Sequence, residues 1–176
     1  MEINTIGFLK IERFEKGAAT RGAILVTATD TKPLEFRITE PIRPQSFQAI
    51  LYGELLDEYV AVELIGLPLL NVLESKPDLV LVCDDLLLGI SSKQQVPVVR
   101  IARAGETLGK KEAEIQQLIS PNSNYPSAQL YIPEKYTENR KTIAEQLQVI
   151  FSLKNLVEPF ERLEKACTDV HRTERR

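Results

Sequence analysis

The sequence predicts an α/β fold: a mixed sheet of about five strands, an antiparallel meander followed by parallel strands, with flanking helices and a long C-terminal helix. Three observations predict it. Leu79 to Val82 is an unbroken apolar run, opened by Pro77-Asp78 and closed by Asp84-Asp85, which is how a strand buried on both faces reads. Val98 to Ala102 repeats the pattern about a dozen residues later, room for a short helical crossover, so the two are neighbouring strands and parallel. Upstream, three runs separated by turn chemistry read as antiparallel strands.

Taken in order, Ile6 to Phe14 comes close to strict alternation, and Lys16 to Gly22 brings two glycines and small residues, a turn. Gly22 to Thr29 is rich in β-formers, Asp30-Thr-Lys-Pro33 turns the chain, and Leu34 to Thr39 alternates, with Leu34, Phe36 and Ile38 on one face and Glu35, Arg37 and Thr39 on the other. Ser46 is placed to cap a helix in which Phe47, Ile50, Leu51, Leu55, Tyr59 and Val62 keep helical spacing. Gly53 weakens that helix and Gly66-Leu67-Pro68 ends it, before one more helical stretch from Leu69 to Ser75. After the two apolar strands, residues 104–137 read as a loop, a small helix from Lys110 to Ile119, and an exposed connection holding one strand, Ala128 to Ile132. From Thr137 the stripe Ile143, Leu147, Ile150, Phe151 is helical, Pro159 permits a kink or a fresh start, and the tail from Thr168 reads as frayed. The chain therefore divides into an α/β core at 1–103, a loop-rich connection at 104–137 and a C-terminal helical segment at 138–172 that packs on the core or a partner.

Composition bounds the function. A chain of 176 residues, 43 % hydrophobic and 27 % charged, has the make-up of an ordinary soluble domain, and its formal charge of -3 provides no global basic field for nucleic acid or anionic lipid. Cys83 and Cys167 have no metal or redox spacing, and the single histidine, His171, sits in a polar tail. With no charged leader and no apolar run near 18 residues, a cytoplasmic location is expected.

Three antiparallel strands, a helix, a strand, a short crossover, a strand and a C-terminal helix is the element order of the ribonuclease H-like folds, and the chain resembles that superfamily in outline over roughly residues 1 to 160. Lys76-Pro-Asp-Leu-Val-Leu-Val-Cys-Asp84 is similar to the strand that precedes an acidic position in its nucleases. The resemblance implies acids on the first strand, the first helix and the end of the fourth strand, holding two divalent ions for phosphodiester hydrolysis. This chain has Glu12 but no aspartate on the first strand, and only Asp84-Asp85 at the end of the fourth.

Several constellations carry candidate chemistry. Asp84 and Asp85 with Glu54 or Glu58 could hold magnesium, or one aspartate caps the helix that follows, the favoured reading. Gly105-Glu-Thr-Leu-Gly109 follows a strand but lacks the spacing of a phosphate loop. Arg100, Arg103, Lys110 and Lys111 make a local basic patch for nucleic acid, and Arg37, Arg43 and Tyr52 are candidates for a partner-binding face or self-association. Without a nucleophile beside a base, a metal-ligand spacing or a cofactor loop, the expected function is a non-enzymatic scaffolding subunit of a larger cytoplasmic assembly, with no cofactor. The alternative is a divalent-metal-dependent nuclease or phosphoesterase, with magnesium as its ion.

Overall fold

The computed structural model describes residues 1–175. Seven strands form one mixed sheet: β1 (Thr5–Phe14), β2 (Ala19–Ala28), β3 (Pro33–Ile38), β4 (Leu79–Val82), β5 (Val98–Arg103), β6 (Ile115–Leu118) and β7 (Ala128–Tyr131), in the order β3-β2-β1-β4-β5-β7-β6. The meander β1–β2–β3 is antiparallel, β1–β4 and β4–β5 are parallel, and β7 runs antiparallel between β5 and β6. The expected α/β class and mixed sheet stand, with seven strands in place of about five.

The sheet is buried on both faces. Ile6 and Phe8 of β1, Leu79 and Leu81 of β4 and Val99 and Ile101 of β5 pack under α4 (Arg140–Leu153) and α5 (Glu158–Glu174). The alternate residues Leu9, Ile11, Val80, Val82 and Val98 pack under the helical segments of residues 56–72 and the 3-10 segment Asp85–Ser92. That double burial is why β4 reads as continuous apolar sequence. At the open end of β4, Asp78 Oδ2 accepts from Asn4 N, Thr5 N and Thr5 Oγ1 at 2.9 to 3.0 Å and ties the start of β1 to β4.

Four local expectations are corrected. Residues 110–119 hold no helix of the expected length but a short 3-10 turn and then β6, because as a strand Leu118 points into the core and the ladder with β7 satisfies the backbone, which a solitary helix of that length could not match. Gly66-Leu67-Pro68 does not end the helix. From α1 (Ser46–Tyr52) the chain passes through a 3-10 turn, α2 (Leu56–Tyr59) and a π-helical stretch, Val60–Gly66, into α3 (Leu67–Val72). The wider π turn places Pro68 in the first turn of α3, where its missing N–H is no loss. Alternation in β3 predicts one covered side, yet its apolar face is largely uncovered, with Leu34 50 % exposed, because of its apolar residues only Ile38 packs against the core. The tail is not frayed: α5 runs to Glu174, and His171, 5 % exposed, stacks on Phe14 with ring centroids 4.1 Å apart.

Candidate functional site at the strand ends

The chain leaves β1 toward β2 on one side and leaves β4 toward β5 on the other, so the order of the sheet reverses between two parallel neighbours. In open α/β sheets the crevice outside the carboxyl ends of such strands is where ligands bind. Here the last β1–β4 pair is Leu9 with Val82, and the next residues are Lys10 and Cys83. Both line an open cleft with Arg103 from β5 and Glu161 and Glu164 from α5.

Lys10 Nζ lies 2.8 Å from Glu12 Oε1 and 3.0 Å from Glu164 Oε2, so the ammonium fastens the C-terminal helix to the first strand. Burial works against its charge, yet the two carboxylates outweigh burial and raise its pKa above the ordinary lysine range. Arg103 pairs with Glu161 and makes a second tie between sheet and helix. Cys83 is half-buried, and burial pushes its thiol up to about 11, with Lys10 and Arg100 pulling the other way. A thiol held neutral in this way is a poor nucleophile.

The residues singled out in the sequence are only partly brought together. Asp84 caps the segment that follows, accepting from Leu86 N at 2.9 Å, which is the capping role. Asp85 is exposed and accepts from Arg100 Nε at 3.2 Å. Glu54 and Glu58 are exposed on the turn and helix after α1, and Glu58 lies against Gly89, at the far end of the segment that Asp84 begins. Among the described residues no group of three or more His, Cys, Asp or Glu is placed to hold one metal ion. Arg100 is buried and spent on Asp85 and the Ile101 carbonyl, so it leaves the basic patch. Arg103 and Lys111 are exposed, while Lys110 Nζ sits 4.7 Å from the centroid of the Tyr131 ring. Arg37 pairs with Glu35, Arg43 with Glu15 at 2.8 Å, and Tyr52 stacks on Tyr59 at 4.3 Å.

Glu12 was noted in the sequence only as the acid of the first strand, and Lys10 and Glu164 were not singled out. The available signal was Lys10-Ile11-Glu12, two charges on one face of a strand whose preceding positions on that face, Ile6 and Phe8, are apolar. Glu164 carries no such mark, being one of several acids on an amphipathic helix.

No family model matches the sequence, and no curated protein matches it. Solved structures do. The endonuclease V of Streptomyces avermitilis is similar at 11 % identity and a TM-score of 0.54, and that of Bacillus subtilis at 14 % and 0.53; each match covers 99 % of this chain and 84 % of the other. The fold is RNase H-like. That likeness overturns the scaffolding-subunit expectation: the structures this chain resembles are endonucleases, which favours the alternative, a nuclease or phosphoesterase.

A pair of divalent ions needs clustered carboxylates converging on open positions. The strand-end corner offers an ammonium between two carboxylates, and the nearest aspartates are committed to an amide and a guanidinium. These residues do not fit a metal pair.

Proposed function

We propose that this protein acts on nucleic acid, engaging a strand along the carboxyl-end corner of its sheet and the adjoining connection. The observation that carries the reading is the superposition of nearly the whole chain on two endonucleases, a fold-level analogy. Local chemistry supports it. Lys111 is an exposed cation for phosphate, Arg103 becomes one by exchanging its exposed partner Glu161 for a phosphate, and Tyr131 beneath Lys110 pairs a π-face with a cation, the combination that sequence-tolerant strand binders use. Because the formal charge is -3, the affinity must come from this local patch.

Phosphodiester cleavage is the second reading, favoured by the likeness to two endonucleases, with Asp84 and Asp85 at the exit of β4 as the carboxylates to test. Single- and double-stranded oligonucleotides of DNA and RNA, incubated with the protein and magnesium and run on native and denaturing gels, separate the two. The proposal predicts retarded, full-length strands, with retardation weakened in K110E/K111E. Shortened strands that disappear in D84N/D85N would put cleavage in its place, and strands neither retarded nor shortened at low salt would refute both.

A further inference from the structure

The corner where the RNase H-like outline calls for metal-holding acids carries instead a built-in cation. Lys10 stands on β1 beside Cys83 at the end of β4, with its Nζ 2.8 Å from Glu12 and 3.0 Å from Glu164. These are the contacts of an ion held between two carboxylates, contributed by the first strand and the C-terminal helix, and the charge between them is covalently part of the chain. We infer that the Lys10 ammonium takes the place of a divalent ion: the native protein binds no such ion at this corner, and Glu12 and Glu164 are neutralised and held by Lys10 alone.

Three features bear on the inference. A second cation placed beside Lys10 would be repelled at close range, and one oxygen of each carboxylate, Glu12 Oε1 and Glu164 Oε2, already faces the ammonium. Cys83 adds no negative charge, since its thiol is pushed up to about 11. Arg103, which lines the same cleft, is itself paired with Glu161, so the cleft's acids are matched by its own cations. The inference uses the fold and these contacts, and it stands or falls independently of whether nucleic acid binds.

The test is a manganese titration of the full chain, followed by calorimetry and by the melting temperature, on wild type, K10D, K10M and E12Q/E164Q. Lys10→Asp puts a third carboxylate beside Glu12 and Glu164. The expected result is a wild type with no heat of binding and no shift in melting temperature in millimolar manganese, and a K10D chain that binds at least tenfold more tightly and loses that binding when E164Q is added. If K10D does not fold, K10M serves, and its melting temperature is expected to rise with manganese while that of wild type does not. Wild-type binding that E12Q/E164Q abolishes would overturn the inference, and so would a folded K10D or K10M chain indifferent to manganese.

Discussion

Arg21, 1 % exposed, donates from Nε to the Thr39 carbonyl at 3.0 Å, meets His171 Nδ1 with Nη1 at 3.2 Å and pairs with Glu174 through Nη2. One buried guanidinium thus joins β2, the exit of β3 and the end of α5. Its removal leaves the Thr39 carbonyl and the His171 ring without a donor in a dry site, so Arg21→Ala is expected to destabilise the fold by about 3 kcal/mol, measured by urea denaturation. Glu35 gives a pH-dependent counterpart. Its carboxylate accepts from Ser75 N at 2.6 Å, from Arg37 and from Glu74 N, and these hydrogen bonds, with the Ser75 amide foremost, lower its pKa from 4.5 to about 2. A group whose pKa is depressed by folding contributes stability that is complete above its ordinary value and is lost as pH falls through its folded value. The stability difference between wild type and Glu35→Gln should therefore be full above about pH 4.5 and shrink as pH falls toward about 2, as urea titrations at stepped pH would show. Both residues were visible as charges in the sequence. Their partners were not, because Thr39, Ser75 and His171 reach them only through the folded chain.

The elements that sequence reading recovered best are those whose residues decide alone. β4 and β5, apolar throughout because both faces are covered, were placed within a residue of their ends, and the Pro159 restart of the C-terminal helix follows from the ring's missing N–H. Those misread depend on a neighbour. Gln116 and Gln117 in β6 carry no strand signal, and it is the ladder to β7 that makes them a strand. The apolar spacing of α1 does not tell which side is covered, and Ile50 is 80 % exposed, since none of the described residues lies over that face. The carboxyl-end corner belongs to the same class: Lys10 and Glu12 could have been suspected from alternation, but Glu164 comes from across 152 residues of sequence. Close packing between elements yields its own prediction at Gly22 on β2. A Cβ there would sit 2.0 Å from Ile65 Cγ2 and 3.3 Å from Leu69 Cδ1, so the helical layer rests on the strand through this glycine. Gly22→Ala should cost roughly 1–3 kcal/mol, seen as a lower urea midpoint.

The molecule as a whole has an RNase H-like fold with a corner, at the carboxyl ends of β1 and β4, whose charges are matched internally. Among the described residues no helix is long and apolar enough to cross a membrane. The fold class was legible because element order limits topology strongly; the function was not, because no catalytic motif marks it in the sequence and the likeness to two endonucleases lies in the course of the chain, which shows the fold alone. The central claim, that the protein engages nucleic acid through the local cations of Arg103, Lys110 and Lys111, is most directly tested by the salt dependence of its affinity for a fluorescently labelled single strand, read by anisotropy. Phosphate contacts release counterions, so the account predicts that log affinity falls linearly with log salt, with a slope of about -2 for three contacts at roughly 0.7 each, reduced to about -0.7 in K110A/K111A. Affinity that does not change with salt, or a slope unaltered by that double substitution, would contradict it.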